Sequence, residues 1–141
     1  MKTLKITTLL FATLTLLFFA CEKEEVVGGA EFVKERFVGK WPLKRQVLIT
    51  TFRDSIAIDT IPYLPIDTLV YTADGQYTRN GVTVGYTIDE AGENITYNTT
   101  PATTWHIKFM RNTSIILTQE RTEQDGNETV TYYTEDQLDK N

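Results

Sequence analysis

The feature that most restricts how this chain can fold is a period-two alternation of apolar and polar residues, cut at short intervals by hairpin signals. Val82, Val84, Tyr86 and Ile88 alternate with Thr83, Gly85 and Thr87, and Trp105, Ile107 and Phe109 alternate with His106, Lys108 and Met110. Successive side chains of an extended strand point to opposite sides, so each run buries one face and wets the other. Leu69 and Tyr71, Ile95 and Tyr97, Ile115 and Leu117, and Val130 and Tyr132 repeat the pattern more briefly. Between the runs stand Asp74-Gly75, Asn80-Gly81, Gly92-Glu93, Pro101, Arg111-Asn112 and Asp125-Gly126. Asn-Gly and Asp-Gly favour the left-handed backbone of tight hairpins. With one long strand beginning near Lys40, the chain is expected to be all-β, with about eight short antiparallel strands. An up-and-down barrel follows if closure removes the edges; a two-sheet β-sandwich is the alternative.

Two segments break the pattern. From Ala30 to Val38, charged residues surround Phe32, Val33 and Phe37. Val33 and Phe37 lie four apart, on one face of a helix, so a short amphipathic helix stopped at Gly39 is expected. The stretch from Thr51 to Pro65 is less regular and reads as a long loop or a wandering hairpin. It carries Ile56, Ile58, Ile61, Tyr63 and Leu64, which either fold back over the barrel or serve a loop-borne interaction.

The amino terminus has the order of an export signal. Met1, Lys2 and Lys5 precede an apolar run from Ile6 to Ala20 that ends at the single cysteine, Cys21. The run falls short of the roughly 20 residues a bilayer span needs. Leu17-Phe18-Phe19-Ala20-Cys21 resembles a lipobox, which implies that Cys21 is lipidated and becomes the first mature residue. Several acyl chains at about 0.8 kcal/mol per buried methylene make a durable anchor. Glu22-Lys23-Glu24-Glu25 resembles the surface-export signal of lipoproteins of the Bacteroidota, which implies an outer-membrane, lipid-anchored protein exposed at the cell surface; a solvated acidic linker on a protein kept on the periplasmic side is the alternative. The expected organisation is a signal peptide over 1–20, a flexible tether over 21–29, a β domain over 30–136 and a C-terminal tail over 137–141.

Composition narrows the function classes. Taking Lys2 and Lys5 from the 14 basic residues leaves 12 against 19 acids, a net charge of −7 after processing. Nucleic acid is a poor partner for such a surface. With Cys21 modified, no thiol remains for disulfides or metal. The nucleophiles available to a hydrolase are Ser55 and Ser114, and the one histidine, His106, alternates onto the face opposite Trp105 and Ile107. No catalytic residues, cofactor or metal site are therefore expected, and a monomer is. Lys34, Arg36, Lys40, Lys44 and Arg45 crowd near the tether, either to face anionic head groups or to solvate the helix beside Glu31 and Glu35.

The β domain carries a family resemblance. Gly39-Lys40-Trp41 opens the first strand after a short helix, and Tyr71-Thr72-Ala73-Asp74-Gly75-Gln76-Tyr77 is followed by Gly85-Tyr86-Thr87-Ile88. These resemble the Gly-x-Trp and hairpin motifs of lipocalin-like lipoproteins of the Bacteroidota. The Thr-Asp-Tyr motif of larger lipocalins is absent. The resemblance implies that Gly39 and Trp41 close one barrel end, with Arg121 as the candidate cation stacked on the indole. An eight-stranded barrel has room for packed side chains or one small ligand. The inward rings Tyr71, Tyr77, Tyr86, Tyr97, Trp105, Phe109 and Tyr132 are thus candidate linings for an apolar or glycan-like guest, or else a filling for the barrel. Asp54-Ser55-Ile56, Asp59-Thr60-Ile61 and Asp67-Thr68-Leu69 resemble the acceptor triplets of Bacteroidota O-glycosylation, with Ser55, Thr60 and Thr68 as the acceptors.

Overall fold

The computed structural model describes residues 29–53, 55–62 and 67–140. One helix, α1 (Gly29–Phe37), precedes nine strands: β1 (Gly39–Phe52), β2 (Ser55–Pro62), β3 (Thr68–Tyr71), β4 (Gln76–Arg79), β5 (Val82–Ile88), β6 (Asn94–Tyr97), β7 (Thr103–Met110), β8 (Ser114–Asp125) and β9 (Glu128–Asp139). Neighbours from β3 to β9 pair antiparallel in chain order, and β1 pairs with both β3 and β9. The eight strands β1 and β3–β9 thus close an up-and-down barrel of lipocalin-like form, with β2 as one extra strand. The signal segment and residues 21–28, Cys21 among them, lie outside the described residues, as do Asp54, residues 63–66 and Asn141, whereas Gly29, expected in the tether, begins α1.

The helix end of the barrel is filled. Val33 and Phe37, on one face of α1, are fully buried, and they join Trp41, Leu43, Tyr71, Tyr86, Ile95, Ile107, Ile115, Leu117 and Leu138 in one core. Strand parity explains the set: Ile115 stands opposite both Leu138 and Met110, and Leu117 opposite Ile107. Gly39 takes a positive φ of 130°, which ends the helix and turns the chain into β1.

Gly92 makes the close approach between helix and barrel. Its φ is +75°, and a Cβ there would lie 2.8 Å from Val33 Cγ2 and 3.2 Å from the Gly29 backbone. Gly92→Ala is therefore expected to cost about 1–3 kcal/mol, read by urea unfolding; a loss below about 0.5 kcal/mol would show that α1 shifts freely.

Two expectations are corrected here. The β domain does not stop at 136, because β9 runs on to Asp139 and Leu138 is core. Nor does Val82 continue the buried row of Val84, Tyr86 and Ile88. It is 65% exposed, because the β4–β5 hairpin carries it beyond the barrel. Within the Thr51–Pro65 stretch the described residues form two paired strands: β1 reaches Phe52, Arg53 follows with φ of 51°, and β2 returns beside Arg45–Phe52. Arg53 pairs with Glu128 across the same end.

The barrel is therefore lopsided. The β1, β9 and β8 ladders continue together past the mouth, and β2 extends them into a four-stranded wall. From Asp136 to Glu128 the wall runs eight residue steps of strand, roughly 27 Å. Its inner face presents Leu48, Thr50, Phe52, Val130, Tyr132 and Arg121 by register. Its outer face carries Ile58 opposite Ile49, and Ile49 opposite Tyr133. Ile56 and Ile58 are about two-thirds exposed, at 66% and 67%, so these two do not fold over the mouth, whereas Ile61, opposite Gln46, is half-buried.

Candidate functional site

Above the filled end the barrel opens into a cup of about 170 Å³, lined by Leu69, Tyr77, Tyr97, Thr99, Thr103, Trp105, Leu117 and Asp136. Strand alternation places each group. Leu69 lies two residues before Tyr71 on β3, and Trp105 two before Ile107 on β7, each one layer nearer the mouth. Tyr97 ends β6, opposite Thr103.

The floor is a tyrosine cluster. The Tyr71 and Tyr97 hydroxyls stand 2.6 Å apart in a hydrogen bond, and the Tyr77 and Tyr97 rings pack at 4.5 Å between centroids. The Tyr86 hydroxyl donates to the Thr72 carbonyl at 3.1 Å. Burial pushes the Tyr71 and Tyr97 hydroxyls well above the ordinary tyrosine range, so both are neutral donors at physiological pH. Tyr77 is raised by burial too, with Arg79 acting against it.

The polar side of the cup is Asp136, 2% exposed on β9. Its Oδ1 accepts a 2.6 Å hydrogen bond from Gln46 Nε2. Its Oδ2 stands 3.8 Å from an Arg79 nitrogen, which is beyond hydrogen-bond reach. Arg79 is committed elsewhere, because Nε and Nη2 both donate to the Asp67 carboxylate, the shortest contact being 2.7 Å. Burial raises the Asp136 carboxyl above the ordinary aspartate range, opposed by Gln46 and Arg79 and assisted by Asp67. The Arg79 guanidinium is held protonated by its partners, although burial acts to lower it.

Of the seven candidate lining rings, Tyr77, Tyr97 and Trp105 surround the cup. Tyr71 and Tyr86 lie below it in the core. Tyr132 faces inward on the wall, beyond the cup, with Arg121 stacked at 4.7 Å. Phe109 is a correction: it does not point inward. The ladder between β7 and β8 pairs Ile107 with Leu117 but Phe109 with Ile116. The bulge at Lys108 adds one residue and reverses the parity after it, so Met110 packs on the core in place of Phe109. Lys108 itself reaches the Glu135 carboxylate at 2.7 Å on the outer face.

Arg121 is the second correction. It lies six residues along β8 from Ile115, about 20 Å toward the wall tip, and pairs with Glu123. The cation over Trp41 is Lys140, whose Nζ is 4.1 Å from the ring centroid and donates to the Val38 carbonyl. Trp41 Nε1 donates to the Phe37 carbonyl at 2.7 Å. Trp41 thus ties α1, β1 and the chain end into one closure beside Gly39. No family model matches this chain, and neither a curated protein nor a solved structure matches it.

Ser55 and Thr60 are exposed on β2, whereas Thr68 is half-buried in β3 between Asp67, held by Arg79, and the core residue Leu69. His106 is exposed, with Nδ1 3.3 Å from Asn94 Oδ1. Among the described residues no group of three or more His, Cys, Asp and Glu side chains is placed to hold a metal ion. Asp136, Arg79 and Lys140 were missed in the sequence, yet parity carried the signal. Asp136 is four residues from Tyr132, Arg79 two from Tyr77, and Lys140 two from Leu138, always on the inward face.

Proposed function

We propose that this chain is a lipid-anchored cell-envelope protein that is not an enzyme and that binds one small apolar or glycan-like guest in the mouth of its barrel. The cup carries this reading. An apolar cavity of about 150 Å³ accepts a benzene-sized guest, and the 170 Å³ here is bounded by Tyr77, Tyr97 and Trp105, with Thr99, Thr103 and Asp136 offering polar contacts. Aromatic faces take an apolar ring or the C–H face of a sugar equally well, and hydroxyl and carboxyl groups then fix its orientation. The rings below the cup are packed core, so the guest sits at the mouth and does not fill the barrel.

Thermal shift and native mass spectrometry across a lipid and glycan panel test the cup. Binding by the parent that is lost in Trp105→Ala supports it; no shift anywhere in the panel overturns it. The anchor rests on Cys21 and the residues before it. Cys21→Ser is expected to move the protein from the membrane to the soluble fraction, and unchanged partition would refute lipidation.

A second reading, an interaction scaffold working through its outer surface, draws on Ile56 and Ile58, which stand exposed on the extra strand. Photo-crosslinkers at positions 56 and 58 in intact cells distinguish the two. A discrete adduct favours the scaffold, and its absence beside a positive guest screen favours the cup.

A further inference from the structure

The cup has one polar group unlike the rest of its wall, and that group is acidic. Asp136 is almost fully buried, lines the cavity with three aromatic rings, and has its second carboxylate oxygen outside hydrogen-bond reach of Arg79. The only cation nearby among the described residues that face it is Arg79, which holds Asp67 by direct hydrogen bonds, also bonds Tyr77, and stands to Asp136 as a longer ion pair of 3.8 Å. No lysine or arginine lines the cup itself. An acid in an aromatic surround attracts a cation twice, through its own charge and through the negative faces of the rings.

We propose that the guest of this cup carries an ammonium group, set against Asp136, with its apolar or sugar body against Tyr77, Tyr97 and Trp105. This rests on the reading that the cup binds a small guest, and it names the chemical class: small organic amines, amino sugars included. An anionic guest is disfavoured, because it would place a second negative charge beside Asp136. The groups facing Asp136 are Gln46 from β1, Asp67 ahead of β3, Tyr71 from β3, Arg79 and Tyr77 from β4, and Tyr97 from β6. The three tyrosines stay neutral and Arg79 stays charged, so the ionisation of Asp136 governs the pH response. Burial shifts that ionisation to higher pH than for an ordinary aspartate. Amine affinity is expected to fall as pH drops through this raised range, while a neutral guest is unaffected.

The test compares benzylamine with its neutral counterpart benzyl alcohol by calorimetry on the lipid-free Cys21→Ser chain. Benzylamine should bind about tenfold tighter, and Asp136→Asn should bring the affinities of the two compounds together, whatever it does to the binding of benzyl alcohol itself. The parent's pH profile gives the same answer without a substitution. Equal affinity for the two, or a preference that survives Asp136→Asn, overturns the amine assignment and leaves the cup standing. Failure of both compounds to bind overturns the assignment together with the cup reading.

Discussion

Trp41→Ala lowers the unfolding free energy by about 3–5 kcal/mol, the largest single loss expected in the molecule. Trp41 is fully buried, and its indole N–H is bonded to the Phe37 carbonyl while Lys140 covers its ring. Removing the ring opens a cavity under α1, takes the indole donor from that carbonyl and takes the aromatic face from Lys140, whose ammonium keeps its bond to the Val38 carbonyl. A domain of this size has a total stability of roughly 5–15 kcal/mol, so the variant is expected to unfold partly at physiological temperature. Urea unfolding followed by tyrosine fluorescence measures it. Lys140→Ala, which removes only the covering cation, should cost about 0.5–1 kcal/mol. If the two variants lose equal stability, Trp41 is not the keystone of the closed end.

Arg79→Ala is expected to cost about 2–4 kcal/mol near neutral pH, because it leaves Asp67 and Asp136 facing each other without their shared cation. Asp67 is bonded to the guanidinium directly and Asp136 lies 3.8 Å from it. The sign of the pH dependence follows from Asp136. A carboxyl whose folded-state pKa is raised favours folding below the unfolded pKa, and that favour is lost as pH rises through the folded pKa. Asp136 is raised already in the parent, by burial above all, and loss of Arg79 raises it further. The gap between variant and parent should therefore shrink as the pH falls from neutral through the raised range of Asp136. Urea titrations at neutral pH and within that range decide it. A gap that stays constant would mean that Arg79 acts through packing of its stem and not through charge.

Most of the barrel was legible because β-strands declare their inward face locally. Tyr71, Tyr86, Tyr97 and Ile107 were assigned inward from alternation alone and lie in the core, and α1 was legible from the spacing of Val33 and Phe37. Phe109 was misassigned because a bulge depends on where two strands need to bend, and Lys108 looks like any outward residue until its neighbour's register is known. Arg121 failed for a related reason. Residue type marked it as the candidate cation, but its distance along β8 from the Trp41 layer is fixed by the strand register. In the cup, the rings were visible as apolar partners of alternation, whereas Arg79, beside the Asn80-Gly81 turn, and Asp136, at the expected end of the domain, were passed over because charged residues ordinarily face water.

The amino-acid order by itself determined that the chain forms short antiparallel strands joined by tight hairpins behind one small helix, since side-chain period and turn chemistry act within a few residues. Only the tertiary structure decided that β1, β8 and β9 overrun the mouth, that β2 joins them as a wall, that Lys140 and not Arg121 covers Trp41, and that one buried acid meets three rings in a cup. Those outcomes depend on register and closure between residues as far apart in the chain as Gln46 and Asp136, which no local pattern encodes.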